Sequence, residues 1–260
     1  MIKKRTYIIL IVSLFTFFIV MYFLFGATNL KERKYEGVFL VGNHSVFAYQ
    51  KQTWLNIKLS ESDFKEFNWH EYEVYQNQEK LGDYSLWYDD KWYAFDQKRN
   101  AIKIPDDFIA FYTNYDVDVL KYQEDNFDSS VYVDRVLEEN QLLVTSQFTS
   151  KYKVSFDFDQ DQKEEDLYVI SNVFPMDFKP EKLFSIVFMV KDNKIYYLYK
   201  DVRDNLDYNG CKPFIHSIID VDKDGKYEFI VSCASYSVSE QVDMLFKFEE
   251  DQFRILVSNP

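Results

Sequence analysis

The chain has 260 residues and a formal net charge of −13, and its composition excludes two broad classes of protein. Hydrophobic residues make up 47% of the chain, which is too apolar for an intrinsically disordered protein. Residues 1–34 carry six basic residues and one acid, whereas residues 35–260 carry 24 basic and 42 acidic residues. Because phosphate contacts need Lys or Arg, the acidic part is not expected to bind nucleic acid, and a cation is the more natural partner.

The first predicted element is a transmembrane helix over residues 7–25. This run, YIILIVSLFTFFIVMYFLF, contains no charged residue and spans about 28 Å as a helix, close to the thickness of the hydrocarbon layer. The basic residues before it predict that residues 1–6 form a cytoplasmic tail. A cleaved signal peptide is the alternative, but it requires a shorter run and a small residue where Phe25 stands. Residues 26–35 are predicted to be a linker.

Residues 36–149 are predicted to form the β-rich N-terminal part of an extracytoplasmic domain. Short alternating runs such as Gly37–Val41 and Val46–Gln50 are separated by turn signals. With only 6 Gly and 5 Pro, the turns must depend on Asn, Asp and charged residues, as at Asn43–His44 and Asp89–Asp90. Helical periodicity is weak throughout, so we predict a mainly β fold.

Residues 150–260 contain an internal repeat. Residues 152–200 align with residues 215–258, and the acidic segments within them are offset by 63 residues. Each unit predicts an apolar strand, an acidic loop, a second strand, a long connection and a hairpin, as in one blade of a propeller. The predicted fold is a transmembrane helix followed by a β-propeller-like or multi-bladed antiparallel β domain. A separate β-domain over residues 36–149 is the alternative.

The two acidic loops carry carboxylates at loop positions 1, 3, 5 and 9. These oxygen ligands on alternate residues suit Ca²⁺ better than Mg²⁺. Gly225, at position 6 of the second loop, permits the positive φ that such a loop needs, whereas the first loop has Gln162 there. The predicted ligands are Asp220, Asp222, Asp224 and Glu228 in the second loop, and Asp157, Asp159, Asp161 and Glu165 in the first. The alternative is an acidic turn that binds no metal.

The segments SFDFDQDQKEEDLYVIS and IIDVDKDGKYEFIVS resemble the FG-GAP or VCBS-type repeat of β-propellers. In that family an Asp-rich calcium loop joins the first two strands of a blade. The resemblance covers residues 150–258 and implies that the eight carboxylates bind Ca²⁺ in a structural role. It also implies more blades than the two evident in this chain.

Two further groups of residues carry predictions. Cys211 and Cys233 lie on either side of the second acidic loop, so a disulfide is predicted outside the cytoplasm, with two free thiols as the alternative. Four tryptophans and their tyrosine neighbours are either core residues or the lining of a sugar-binding face: Trp54, Trp69, Trp87 and Trp92.

These features predict a membrane-anchored, extracytoplasmic binding or scaffold module with calcium-stabilised β-blades. The expected ligand is a protein or a cell-wall polysaccharide. The sequence contains no nucleophile elbow, P-loop or dinucleotide motif, so we do not expect an enzyme. The alternatives are an anchored enzyme that acts on cell-envelope glycans, and a sensor or assembly subunit of an envelope complex.

Overall fold

A computed structural model describes seven stretches of the chain: residues 35–57, 67–113, 117–142, 147–173, 181–204, 210–235 and 241–259. The predicted tail 1–6, the predicted transmembrane helix 7–25 and all but the last residue of the linker 26–35 lie outside these stretches. Within them, no helix has the length and apolar character needed to cross a membrane. Residues 37–260 form one compact unit.

The prediction of a mainly β fold is confirmed. The described residues form antiparallel strands arranged in three open sheets, together with one helix. The strands are β1 (Gly37–Val41), β2 (Ser45–Gln50), β3 (Thr53–Asn56), β4 (Glu71–Gln76), β5 (Glu79–Asp89), β6 (Lys91–Phe95), β7 (Ala101–Ile102), β8 (Ile109–Thr113), β9 (Asp118–Val119), β10 (Ser150–Phe156), β11 (Glu165–Ser171), β12 (Lys182–Lys191), β13 (Lys194–Asp204), β14 (Cys211–Asp220), β15 (Glu228–Ser235), β16 (Gln241–Glu249) and β17 (Gln252–Ser258), and the helix is α1 (Val131–Glu139).

The N-terminal sheet has eight strands in the order β3-β2-β1-β8-β4-β5-β6-β7. Two of its hairpins turn without glycine: Lys51 and Gln52 between β2 and β3, and Asn77 and Gln78 between β4 and β5, all have φ between 47° and 65°. Two adjacent residues with positive φ match the right-handed twist of the flanking strands. The scarcity of glycine is therefore met by polar residues in left-handed conformations.

Each predicted repeat contains a four-stranded antiparallel sheet. The first repeat sheet has the order β10-β11-β12-β13, and the second has the order β17-β16-β15-β14 with β9 added beside β14. Because β9 comes from residues 118–119, the N-terminal part of the chain contributes a strand to the second repeat sheet. The sheets are open, so a propeller is not shown, and the multi-bladed arrangement stays a prediction.

Alternating residues of the repeat strands face two different cores. In β15, Phe229 packs toward the first repeat sheet, whereas Ile230 packs toward the N-terminal sheet. In β11, Leu167 faces the second repeat sheet and Tyr168 faces α1. The order of layers is therefore α1, the first repeat sheet, the second repeat sheet and the N-terminal sheet. Both repeat sheets are covered on both faces, which explains their nearly continuous apolar strands.

Helix α1 is an element that the sequence reasoning missed. It buries Val133, Val136 and Leu137 against the outer face of the first repeat sheet. The helix has only nine residues, too few to give a clear helical periodicity, and β-branched valines lower its intrinsic helix propensity. Packing against the sheet, rather than propensity, therefore stabilises it.

Candidate functional site

The two acidic loops occupy the same place in the two repeat sheets. Residues 157–164 join β10 to β11, and residues 221–227 join β14 to β15. In each loop, one carboxylate oxygen from each of three residues lies within 4.8 Å of the other two. The first cluster is Asp157, Asp159 and Glu165, and the second is Asp220, Asp222 and Glu228. This separation lets one cation contact all three oxygen atoms of a cluster, since Ca²⁺–oxygen distances are about 2.3–2.6 Å.

Hydrogen bonds within the second loop fold the chain around its carboxylates. Asp220 Oδ2 accepts from the Gly225 N–H at 3.2 Å, and Asp224 Oδ1 accepts from the Lys226 N–H at 2.9 Å. Gly225 has a φ of 82°, the left-handed conformation that its position predicted. The acidic side chains therefore determine the conformation of the loop as well as its negative charge.

The first loop has the same internal geometry. Asp157 Oδ2 accepts from the Gln162 N–H at 2.8 Å, and Asp161 Oδ1 accepts from the Lys163 N–H at 2.9 Å. Gln162 adopts a φ of 70° at the position of Gly225, which costs about 1–2 kcal/mol for a residue with a Cβ atom. The loop tolerates this cost because the Asp157 carboxylate holds the turn.

A buried glutamate closes the base of each loop. Glu228 is fully buried, and its Oε2 accepts from the Val221 N–H at 2.9 Å. Glu165 is 3% exposed, and its Oε2 accepts from the Phe158 N–H at 3.2 Å. Both glutamates also belong to the acidic clusters, so each connects the base of its loop to the cluster.

A lysine from the third strand of each repeat sheet contacts the acidic cluster. Lys247 Nζ lies 2.6 Å from Asp222 Oδ2, 2.9 Å from Glu228 Oε1 and 2.9 Å from Asp224 Oδ2. In the first loop, Lys191 Nζ lies 2.7 Å from Asp159 Oδ2, as shown by their hydrogen bond. Neither lysine is among the site residues predicted from the sequence. The available signal was a charged residue beside or within an otherwise apolar strand, as in MLFKF.

Burial and neighbouring charges shift the pKa values of these groups in opposite directions. Burial raises the pKa of Glu228 to about 8, and it also raises the pKa of Glu165 and of Asp220. Burial alone would lower the pKa of Lys247, but its hydrogen bonds to Asp222 and Glu228 raise that pKa above its usual value. A cation beside these carboxylates therefore favours their ionised form, whether it is an ammonium group or a metal ion.

Six of the eight predicted metal ligands belong to the two clusters, and the other two lie beside them. Asp161 and Asp224 instead contact a lysine and a backbone N–H of their own loop. Three oxygen atoms of the clusters have no hydrogen-bond partner among the described residues: Asp159 Oδ1 in the first cluster, and Asp220 Oδ1 and Glu228 Oε1 in the second. Hard oxygen donors with unused lone pairs suit a cation such as Ca²⁺, so the donor set fits the predicted metal.

The two loops contact each other. The Tyr227 N–H donates to the Phe158 carbonyl oxygen at 3.2 Å, which joins the second loop to the first. A cavity of about 460 Å³ lies beside this contact, and its lining includes Asp159, Lys191 and Lys226. The first cluster is therefore accessible to solutes through the cavity. In the second loop, the lysine that contacts the cluster, Lys247, is only 5% exposed.

The structure joins Cys211 to Cys233 in a disulfide, with Cα atoms 5.4 Å apart. The bridge links β14 to β15, where Cys233 pairs directly with Pro213. The disulfide closes the β14–β15 hairpin at its open end, and the second acidic loop forms the opposite end of the hairpin.

The four tryptophans fall into two groups. Trp92 is 3% exposed, and Trp54 packs against Phe39 in the core. Trp69 is 56% exposed, and its ring lies 6.4 Å from that of Trp87 with an angle of 23° between the two planes. We call the second group, with the adjoining rings, the aromatic face: Trp69, Trp87, Tyr93 and Phe95.

No family model, no curated protein and no solved structure matches this chain. The acidic loops and the aromatic face are the features of this chain that indicate a function. Both are surface features on a framework of buried sheets, which is the usual arrangement of a binding site.

Proposed function

We propose that this chain is a membrane-tethered, extracytoplasmic binding or scaffold module whose β-blades are stabilised by Ca²⁺ at the two acidic loops. The predicted helix over residues 7–25 provides the tether. The observation that carries the proposal is the recurrence of one carboxylate cluster at equivalent positions of two repeat sheets. The resemblance to FG-GAP or VCBS-type repeats supports the same ion and the same structural role.

Charge balance supports a cation at the second loop. Lys247 Nζ contacts three carboxyl groups there, those of Asp222, Asp224 and Glu228, so carboxyl groups outnumber the ammonium group at this point. Asp220 is 8% exposed, and its Oδ1 has no hydrogen-bond partner among the described residues. A buried carboxylate oxygen without a partner is costly, and a metal ion relieves that cost.

The experiment is thermal unfolding of the full chain in detergent, first with EGTA and then with millimolar Ca²⁺ or Mg²⁺. If Ca²⁺ is at about 100 times its dissociation constant, it stabilises the folded state by about 2.7 kcal/mol, which is a rise of several degrees in melting temperature. The Asp220→Asn and Asp222→Asn double variant should lose this rise.

The matched control is the Asp89→Asn and Asp90→Asn double variant, which removes the same charge from an exposed hairpin turn. It should keep the full response to Ca²⁺. An equal response in both double variants would mean that Ca²⁺ acts by general screening, and no response in the wild type would mean that the loops bind no calcium.

We further propose that the ligand of the module is a polysaccharide that stacks on the aromatic face. The exposed ring of Trp69 and the partly buried ring of Trp87 present nearly parallel surfaces, and Tyr93 adds a hydroxyl group hydrogen-bonded to Asp90. Exposed apolar patches with polar neighbours mark interaction sites, and aromatic rings beside polar groups suit the mixed surface of a sugar ring.

Co-sedimentation with insoluble cell-wall polysaccharide tests this ligand. Trp69→Ala should greatly reduce binding, whereas Ile255→Ala, which removes another apolar side chain that is 57% exposed, should leave binding unchanged. Equal binding by both variants would exclude the aromatic face as the polysaccharide site.

A further inference from the structure

The ammonium group of Lys247 contacts the oxygen atoms that a metal ion in the second loop would use. Asp222 and Glu228 belong to the cation cluster, and Lys247 Nζ lies 2.6 and 2.9 Å from their oxygen atoms. The side chain of Lys247 is only 6% exposed, so the contact is made inside the protein rather than at its surface. The contact with Asp222 is a charge-assisted hydrogen bond, and the contact with Glu228 is an ion pair.

The same arrangement recurs in the first loop. Lys191 Nζ lies 2.7 Å from Asp159 Oδ2 and 3.3 Å from Glu165 Oε1, and its side chain is 14% exposed. Both residues that it contacts belong to the first cation cluster. In each loop a lysine therefore contacts two members of the cluster. This recurrence argues against an accidental ion pair.

Strand register explains why the lysines reach equivalent places. In the second repeat sheet Phe229 pairs with Phe246, so Lys247 is the next residue along β16 and lies opposite the loop glutamate. In the first repeat sheet Asp166 pairs with Val190, so the next residue along β12 is Lys191. The distance along the chain from glutamate to lysine differs between the repeats, but the position in the sheet does not.

The lysine leaves one ligand of the cluster unsatisfied. Asp220 is more than nine-tenths buried, and its Oδ1 has no hydrogen-bond partner among the described residues. Asp220 belongs to the same cluster as Asp222 and Glu228, with one carboxylate oxygen of each residue within 4.8 Å of the other two. The cluster is thus built for a cation that contacts more oxygen atoms than the ammonium group does.

We propose that Lys247 and Lys191 are tethered cations that hold the calcium-free loops folded, and that a metal ion binds only by displacing them. Two positive charges cannot share the same carboxylate oxygens without strong repulsion, so each lysine lowers the affinity of its loop for metal. The exchange of lysine for metal rests on the proposed calcium function, whereas the stabilisation of the calcium-free loop does not.

The test compares the wild-type chain with Lys247→Met, which keeps a long apolar side chain but removes the charge. Lys153→Met is the matched control, because Lys153 also lies in a repeat strand but pairs with a single carboxylate, that of Asp166 at 2.9 Å. In EGTA, Lys247→Met should melt about 6–12 °C below the wild type, since it leaves buried carboxylates without a cation. Titration calorimetry with CaCl₂ should show at least about a tenfold gain in affinity.

The possible results separate this proposal from the calcium function. A calcium response in Lys247→Met but not in the wild type supports the tethered cation and overturns the calcium function. A melting temperature no lower than that of Lys153→Met, with unchanged calcium affinity, overturns the tethered cation. A destabilised variant that binds no calcium overturns the exchange. If Lys247→Met fails to fold, Lys191→Met tests the same points in the more exposed loop.

Discussion

The hydroxyl group of Ser45 donates a hydrogen bond of 2.6 Å to Asp243 Oδ2, across 198 residues of sequence. Ser45 lies in β2 of the N-terminal sheet and Asp243 lies in β16 of the second repeat sheet. Asp243 is fully buried, and its Oδ1 accepts from Ser232 Oγ at 2.5 Å and from Gln241 Nε2 at 2.7 Å. One buried carboxylate therefore ties two layers of the fold together.

The first prediction concerns the hydrogen bond from Ser45 to Asp243. Ser45→Ala should lower the free energy of unfolding by about 1–3 kcal/mol, because it removes a hydrogen bond to a buried charge. Urea denaturation measures the change. In an Asp243→Asn background the same substitution should cost markedly less, since the acceptor is then neutral. An equal cost in both backgrounds would show that the carboxylate charge is not what Ser45 stabilises.

The second prediction concerns the covering of the first repeat sheet by α1. Leu137 is fully buried on the side of α1 that faces the sheet, so Leu137→Ala should cost about 2–5 kcal/mol of stability. Val131, in the same helix, is 74% exposed, so Val131→Ala should change stability by less than about 0.5 kcal/mol. Similar losses in the two variants, measured by urea denaturation, would contradict the packing of α1 on the sheet.

The third prediction concerns the disulfide. The bridge joins residues separated by 22 positions, so replacing both Cys211 and Cys233 with Ala should cost about 2–4 kcal/mol. Treating the wild type with dithiothreitol should lower its melting temperature to nearly that of the double variant. The double variant itself should not respond to the reductant, and a response there would place the effect elsewhere.

The fourth prediction concerns pH. Burial opposes ionisation of Asp166, but hydrogen bonds from Ser155 Oγ at 2.5 Å and Lys153 Nζ at 2.9 Å outweigh it and hold the pKa of Asp166 below its usual value of 3.8. Because the folded-state pKa is lowered, the stabilisation is complete above the unfolded-state value. It is lost as the pH falls through the folded-state value.

Urea denaturation between about pH 6 and pH 2.5 checks this pH dependence. The wild type should be about 1–3 kcal/mol more stable than Asp166→Asn near pH 6, and the difference should shrink below about pH 4. Asp89→Asn, at an exposed hairpin turn, serves as the control and should show a small difference throughout. A difference for Asp166→Asn that stays constant would mean that its charge contributes nothing.

Local sequence determined much of the β architecture. The alternation of apolar residues predicted strands, and Asp90, in the predicted turn Asp89–Asp90, has a φ of 64°. The acidic loops also followed from sequence, because their spacing is local and their turn needs only Gly225 or a residue that tolerates its conformation. These features depend on neighbours a few residues away, so the chain encodes them directly.

Tertiary structure decided what the local pattern could not. Insertion of β8 between β1 and β4, and pairing of β9 with β14, depend on contacts between distant segments. Helix α1 depends on the sheet that it covers. Lys191 and Lys247 reach their loops through strand register, which different connection lengths conceal in the sequence. The sequence by itself therefore determined which residues carry the negative charge, whereas only the packed sheets decided which positive charge meets it.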